Sequence, residues 1–262
     1  MSFEDLADMT ELEEYWQREW RKFVGEPKRF EDLAFLAASR NATRVLDVGC
    51  GAGQELIPFV KQDVLLVGID LAPEAGRLGQ LLFSTALPPV KKLELAAPPV
   101  FVRGSAERLP LASAVFDVVI CRLVLPYTDN RRALAEMNRV LAPGGILILK
   151  FHHLLYYIDE ALAAFRARRW RRIVRALRVI AAGLIYHLIG RQWRAFISNQ
   201  TFQTRWLLDR ELSKLDHHLA EELADSTSTA PSFLITKAES KTACADTRCG
   251  VSPSTRGTTA RA

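Results

Sequence analysis

The sequence lacks the features of disulfide-rich, zinc-binding and membrane-spanning proteins. Its four cysteines, Cys50, Cys121, Cys244 and Cys249, lie far from any ligand-spaced histidine cluster. Cys244 and Cys249 are near enough in sequence to pair, but free thiols in a polar tail are the better interpretation. The longest uncharged run in the basic segment, 179–190, covers about a dozen residues, whereas a spanning helix needs ~20. We therefore expect reduced thiols, no bound metal and no transmembrane helix.

Acidic residues are missing from one long stretch of the chain. Between Glu160 and Asp209 there is no aspartate or glutamate, although the net charge of the whole chain is only +5. The first ten residues are acidic and have no apolar signal region, which predicts a cytoplasmic protein. The same acid-free stretch contains the arginines Arg166, Arg168, Arg169, Arg171, Arg172, Arg175, Arg178, Arg191, Arg194 and Arg205.

A glycine-rich turn follows the first predicted strand. The run 44–53 reads Arg-Val-Leu-Asp-Val-Gly-Cys-Gly-Ala-Gly, and 54–61 is predicted to be a helix. Glycines allow positive φ and close approach of a ligand, and the free N–H groups of a following helix would point at that ligand. The spacing differs from the dinucleotide motif of oxidoreductases, because Asp47 precedes the first glycine by two residues. An acid at this place suits a cationic ligand group better than a pyrophosphate.

The segment 47–53 resembles the first motif of the class I S-adenosylmethionine-dependent methyltransferases, specifically their small-molecule, methyltransferase domain 11-like members. Further motifs follow in the family's order at 64–71, 104–111, 116–122 and 136–145. The resemblance covers roughly residues 40–151. It implies an α/β fold: a Rossmann-like three-layer sandwich, whose mostly parallel seven-stranded sheet has an antiparallel last strand, with a helical cap insertion. It also implies S-adenosylmethionine as cofactor.

The resemblance implies which residues bind this cofactor. Asp47 and the backbone of the glycine turn would hold the methionine moiety, and Asp70 would bind the ribose hydroxyls. Ser105 occupies a position where the family often has an aspartate, so its contact with the adenine would be weaker. The full set of implied cofactor-binding residues is Asp47, Gly49, Cys50, Gly51, Gly53, Asp70, Leu71, Ser105, Ala106 and Cys121, although Cys121 also fits a small residue at the edge of the core.

The acceptor side is less defined by sequence. His152 and His153 follow the fifth predicted strand, and Tyr127 follows the fourth, so all three are candidate catalytic residues. Adjacent histidines usually point to opposite sides, so we expect at most one of them to face the ligand. Arg122 either meets an anionic substrate group or forms a salt bridge. Tyr15 and Trp16, on a predicted helix 11–24, either line the acceptor pocket or pack on the core.

The chain divides into five predicted regions. They are an N-terminal helical cap (1–39, with a second helix at 29–39), the cofactor-binding core (40–151), a basic helical insertion (152–203), a segment that completes the sheet (204–240) and a disordered tail (241–262). Residues 84–99 are predicted to be irregular because of two proline pairs. Local propensity predicts helix at 219–223, where the family's fold requires a sixth strand.

The basic insertion has helical periodicity over 159–197. One face is predicted to carry Ile173, Val174, Leu177, Ile180, Ala181, Leu184, Ile185 and Leu188, and arginines occupy the other. Three functions remain open: a cap over the acceptor, a peripheral membrane contact through 166–194, and a nucleic-acid surface. An arginine face exposed to solvent on a packed helix is compatible with each.

These patterns predict methyl transfer to a small-molecule or lipid-like acceptor, at oxygen. RNA methylation is an alternative, but the sequence has no RNA-binding module, which argues against nucleic acid as a partner. A non-catalytic subunit that docks through the basic helix is a further alternative. The residues specify neither the acceptor nor the oligomeric state.

Overall fold

The computed structural model describes residues 3–25, 41–61, 63–87, 92, 95–192, 197–215, 217, 221–223 and 225–237. The predictions for helix 29–39, the tail 241–262 and its two cysteines lie outside these residues, as does most of 88–94. The helices are α1 (Phe3–Gly25), α2 (Pro73–Thr85), α3 (Asn130–Val140), α4 (Leu154–Arg166), α5 (Trp170–Ile189) and α6 (Arg205–Ser213). The strands are β1 (Arg44–Val48), β2 (Leu65–Asp70), β3 (Val100–Arg103), β4 (Phe116–Arg122), β5 (Leu141–Lys150), β6 (Glu221–Glu222) and β7 (Ser232–Thr236).

The strands form one sheet in the order β3-β2-β1-β4-β5-β7-β6. The first five strands are parallel, and β7 pairs antiparallel with both β5 and β6. Six of the strands have four or more residues, and β6 has only two. The sequence therefore predicts the sheet correctly, including its antiparallel last strand. The order reverses at β1 and β4, which places a crevice beyond their carboxyl ends.

Alternate residues of the strands pack on the two faces of the sheet. Leu46 and Val119 belong to one hydrophobic cluster, and Val45 and Val118 belong to the other. The second cluster also receives Trp20 and Phe23 of α1, both almost completely buried. The described part of α1 is thus anchored by aromatic side chains to the sheet.

The region after the glycine turn differs from the prediction. The predicted helix 54–61 is a six-residue 3₁₀ helix, Gln54–Phe59, which contains Pro58. Proline has no N–H and hinders a regular α-helix at this point. The turn therefore leads into a short, tight segment instead of an α-helix with a full N-terminal row of free N–H groups.

The basic insertion is a helical hairpin, α4 and α5, joined by the turn 167–169. The most buried side chains of α5 are not those of the apolar face that periodicity gives. Ala176, Val179, Ala182, Gly183 and Tyr186 are buried, whereas Val174, Leu177, Leu184 and Leu188 of the predicted face are exposed. The physical reason is close packing. A Cβ at Gly183 would lie 2.2 Å from the ring of Phe202, so at this position α5 lies too close to Phe202 for any residue larger than glycine.

No helix within the described residues is long and apolar enough to cross a membrane.

Candidate active site

A cavity of about 520 Å³ opens beyond the carboxyl ends of β1 and β4. Its walls come from α1, the glycine turn, the ends of β2, β4 and β5, and the loop 104–107. The predicted residues Tyr15, Trp16, Asp47, Asp70 and Tyr127 line it. The other predicted residues in its wall are Gly49, Cys50, Leu71, Ser105, Ala106, Arg122 and His152.

The glycines of the turn lie in close contact with bulky side chains. Gly49 has φ +73°, and a Cβ on it would lie 2.2 Å from Val124. Gly51 has φ +52°, and a Cβ on it would lie 2.6 Å from Nε1 of Trp16. Larger residues at these positions would be strained and would displace their neighbours. The sequence left open whether Trp16 lines the pocket or packs on the core. In the structure it packs against Gly51 of the turn and also lines the cavity.

The N–H groups of this turn are used inside the protein. Those of Gly49 and Cys50 both donate to the carbonyl of Ile69, at 2.7 and 3.0 Å. Gly51 N–H donates to Oδ2 of Asp70 at 2.9 Å, and Gly53 N–H donates to the carbonyl of Cys50. These four N–H groups therefore donate to oxygens of the protein itself. Gly51 and Gly53 shape the turn without lining the cavity, because Trp16 and Phe101 pack against them.

Asp47 is the most deeply buried acid in the cavity wall, with 2% of its surface exposed. Its Oδ2 has no hydrogen-bond partner among the described residues. Burial, together with the Glu55 and Asp70 carboxylates, raises the pKa of Asp47 well above its usual range, and the Arg122 guanidinium opposes this effect. An unpaired buried carboxylate is costly, and a cationic ligand group would stabilise it.

A network of buried charges lies directly beside Asp47. Arg122 contacts Glu55, with Nε 2.9 Å from Oε1, and forms a short ion pair with Asp225. Lys150 Nζ lies 2.9 Å from the same Asp225 carboxylate. The cluster thus contains three acids and two bases: Asp47, Glu55 and Asp225, with Arg122 and Lys150. When all five are ionised the cluster has one excess negative charge, which again suits a cation.

The sequence left Arg122 open between substrate binding and a salt bridge, and the structure has the salt bridge. Its partners were not anticipated. Lys150 at the end of an apolar strand was a usable signal, because a buried lysine needs a partner. Asp225 had no local signal, since it lies more than seventy residues beyond Lys150 in a loop before β7.

Asp70 closes the other side of the cavity at the end of β2. Its Oδ2 accepts from Gly51 N–H and its Oδ1 accepts from Ala72 N–H at 3.0 Å. Each carboxylate oxygen has a second acceptor site, so the group is held in place and can still accept hydrogen bonds from ligand hydroxyls. Leu71 and the loop residues Ser105 and Ala106 line the cavity close to this end.

The opposite end of the cavity is aromatic. Tyr15, Tyr127 and His152 line it, and the ring of His152 stacks on Tyr156 with centroids 3.9 Å apart. Burial and the charge of Lys150 lower the pKa of His152 to about 4, so the imidazole is neutral at neutral pH. Its Nδ1 has no hydrogen-bond partner among the described residues. Burial raises the pKa of Tyr127, which makes it a hydrogen-bond donor at neutral pH and argues against a role as base.

Besides Gly51 and Gly53, two further predicted site residues, His153 and Cys121, do not line the cavity. His153 caps the start of α4, because its Nδ1 accepts from Leu155 N–H, and it does not line the cavity. As expected for adjacent histidines, only His152 faces the cavity. Cys121 has no exposed surface and lies in the hydrophobic cluster with Leu46 and Val119, which fits the alternative of a small residue of the core. Side chains alternate along β4, and this one faces the core.

Comparison with known proteins agrees with this geometry. Residues 46–149 match the family model described as "Methyltransferase domain". This segment, which contains the turn with Asp47, is therefore similar to the domain of S-adenosylmethionine-dependent methyltransferases. S-adenosylmethionine is the cofactor of these enzymes. No metal-binding group of three or more His, Cys, Asp or Glu side chains occurs in the described part of the chain.

The relatives of this methyltransferase domain are diverse. The chain is 36% identical over 118 residues to a malonyl-[acyl-carrier protein] O-methyltransferase of Herminiimonas arsenicoxydans, covering 44% of this chain and 40% of that protein. It is 35% identical over 116 residues to a demethylmenaquinone methyltransferase of Deinococcus radiodurans, covering 43% of this chain and 44% of that protein. The chain thus spans less than half the length of each.

A similar fold occurs in magnesium protoporphyrin IX methyltransferase from Synechocystis, solved with bound S-adenosylhomocysteine. The TM-score is 0.54 at 17% identity, over 83% of this chain and 86% of that one. At 17% sequence identity, this similarity shows a shared fold only.

Proposed function

We propose that the protein transfers a methyl group from S-adenosylmethionine to an oxygen of a small or lipid-like acceptor. The observation that carries the proposal is the placement of four residues along one cavity: Asp47 and Asp70 lie on β1 and β2, and Tyr127 and His152 follow β4 and β5. We call these two parts its acidic end and its aromatic end. The relatives' names include acceptors as different as malonyl-[acyl-carrier protein] and demethylmenaquinone, so the acceptor class rests on this aromatic end.

The acidic end fits the cofactor by its chemistry. Asp47 would hold the ammonium group, because its Oδ2 is unpaired and the surrounding charges leave one negative charge uncompensated. Asp70 would accept from the ribose hydroxyls, with its carboxylate already fixed by Gly51 and Ala72. When bound, S-adenosylmethionine supplies an activated methyl group on a sulfonium.

The aromatic end would bind and orient the acceptor. Tyr15 and Tyr127 provide apolar ring surface together with hydroxyl donors, since the pKa of both phenols lies above its ordinary value and both stay protonated at neutral pH. His152 would accept the hydrogen bond of the acceptor hydroxyl through a neutral imidazole nitrogen. A weak base is sufficient here, because an oxygen that gains a methyl group becomes far more acidic than the original hydroxyl.

The matched pair His152 and His153 tests this proposal. With tritiated S-adenosylmethionine and an extract of small molecules and lipids, the wild-type protein is expected to label an extractable product. His152→Gln should lower turnover by roughly 10²-fold or more while leaving cofactor affinity unchanged. His153→Gln should leave both unchanged, since the residue only caps α4.

The pH profile adds an independent check. Because the pKa of His152 is about 4, turnover should be flat from about pH 6 to 8 and should fall only when the imidazole becomes protonated in more acidic solution. A product methylated at nitrogen or carbon would refute the assignment to oxygen. Equal turnover of His152→Gln and wild type would refute the role given to His152.

A further inference from the structure

The tip of the hairpin formed by α4 and α5 is a compact, exposed turn. Arg168 N–H donates to Phe165 and Arg169 N–H donates to Ala164, which closes the turn between the two helices. Arg168 has φ +52°, so the chain reverses within three residues, 167–169. The backbone of the tip is thus hydrogen-bonded within the hairpin.

Two aromatic side chains flank this turn and face solvent. Phe165, at the end of α4, is 71% exposed, and Trp170, at the start of α5, is 66% exposed. Exposed aliphatic residues continue from them along both helices: Leu162 precedes Phe165 by three positions, and Val174 and Leu177 follow Trp170 at helical spacing. Single exposed apolar residues are common on protein surfaces. A contiguous patch, such as this aromatic pair with apolar residues on both sides, is typical of an interaction site.

Arginines surround the aromatic pair. Arg166, Arg168, Arg169, Arg171 and Arg172 are all exposed, and within the described part of the chain no carboxylate forms an ion pair with them. The Arg171 guanidinium lies 5.7 Å from the centre of the Trp170 ring. We call this group the hairpin tip: Phe165, Trp170 and these five arginines.

We propose that the hairpin tip is a docking site for an anionic membrane surface. Arginines attract acidic headgroups, and their long stems allow the charge to remain at headgroup level while the adjacent aromatic rings enter the interface. A nucleic acid would account for the arginines, but it would leave the aliphatic residues Leu162, Val174 and Leu177 exposed to water. The combination favours lipid.

The hairpin also connects this tip to the cavity. α4 begins directly after His152 and His153, and Tyr156 in its first turn stacks on His152. From Tyr156 to Arg166 the helix rises by about 15 Å. Arg175 lies 3.6 Å from Glu160, which joins the two helices between tip and cavity. A membrane bound at the tip would therefore lie about 15 Å along α4 from the aromatic end of the cavity.

The test is binding of the full chain to phosphatidylcholine vesicles, with and without roughly one third phosphatidylglycerol, measured by flotation. We expect binding only to the anionic vesicles, and loss of binding when salt rises from about 0.1 to about 0.5 M. Replacing Arg166, Arg169, Arg171 and Arg172 by Gln should weaken binding by at least about 100-fold. Arg168 is left unchanged because it forms the turn.

A second variant, with Phe165→Ser and Trp170→Ser, should also abolish flotation at unchanged charge. Matched controls are the exposed residues of other helices: Leu81→Ser for the apolar change, and Arg77→Gln with Arg132→Gln for the charge change. These controls should bind vesicles as the wild type does. All replaced side chains are exposed, so unfolding curves should remain unchanged.

Brominated lipid gives a local readout. It should quench part of the tryptophan fluorescence of the wild type, and Trp170→Phe should lose that part. The proposal is overturned if neutral and anionic vesicles bind equally, or if the tip variants float as well as wild type. It is also overturned if vesicles do not bind but RNA does, in a manner that depends on the tip arginines. None of these outcomes depends on whether the protein transfers methyl groups.

Discussion

Binding of S-adenosylmethionine should release a proton from Asp47. In the free protein this carboxyl is buried beside Glu55 and Asp70, and its pKa is raised well above 3.8. An ammonium group placed against its unpaired Oδ2 favours the charged form and lowers the pKa again. At a pH below the raised pKa, the proton on Asp47 should therefore leave when the cofactor binds.

The sign and size of the effect follow from linkage. Asp47 has one pKa in the free protein and a lower pKa in the complex with the cofactor. Between these two values, each unit of pH decrease should weaken cofactor binding by up to tenfold, about 1.4 kcal/mol. Above the raised pKa the affinity should be independent of this group. In the neutral Asp47→Asn variant the dependence should disappear, and affinity should fall by roughly 10- to 100-fold, since a hydrogen bond to a charged group contributes about 1.5–3 kcal/mol.

Calorimetric titration in buffers of different ionisation enthalpy measures the protons released. The titrations are done below pH ~7, where the amino group of the cofactor stays protonated. The observed enthalpy should vary with the buffer for wild type and be independent of it for Asp47→Asn. If both proteins release the same number of protons, another group is responsible and the assignment to Asp47 is refuted.

Three further predictions concern stability and packing. Gly51→Ala should weaken cofactor binding and displace α1, because the new Cβ would lie 2.6 Å from Trp16; tryptophan fluorescence reports the change. Burial opposes ionisation of Asp225, but its partners Arg122 and Lys150 lower its pKa to about 2. The ionised carboxylate should therefore add to the free energy of unfolding above pH ~4, and this contribution should be lost between pH ~4 and pH ~2. Urea unfolding of Asp225→Asn should lack this loss of roughly 2 kcal/mol. Gly183→Ala should destabilise the hairpin by about 1–2 kcal/mol in the same assay, since overpacking against Phe202 exceeds the gain in helix propensity.

A parallel sheet was predictable because strands and helices alternate along the chain, and each buried strand is a short apolar run. Its seven strands and the antiparallel last strand were implied by the family resemblance. Asp47 and Asp70 were predictable for the same reason, since both are positioned by the strands that carry them. The structure places both of them in the cavity wall.

The remaining errors concern contacts between distant segments. Glu55, Lys150 and Asp225 form ion pairs that no local pattern contains. The buried side chains of α5 differ from its apolar face because periodicity does not show that the helix packs closely against Phe202 at Gly183. Cys121 and His153 show the same limit, because a one-residue difference in register decides whether a side chain faces the cavity.

The measurement that tests the central claim most directly is calorimetric titration of S-adenosylmethionine and S-adenosylhomocysteine into wild type and Asp70→Ala. The account predicts saturable binding of both ligands by wild type, weakened at least about tenfold by the substitution, with an unfolding curve that shows the variant to be folded. Absence of binding by folded wild-type protein, or equal affinity of the two proteins, would contradict it.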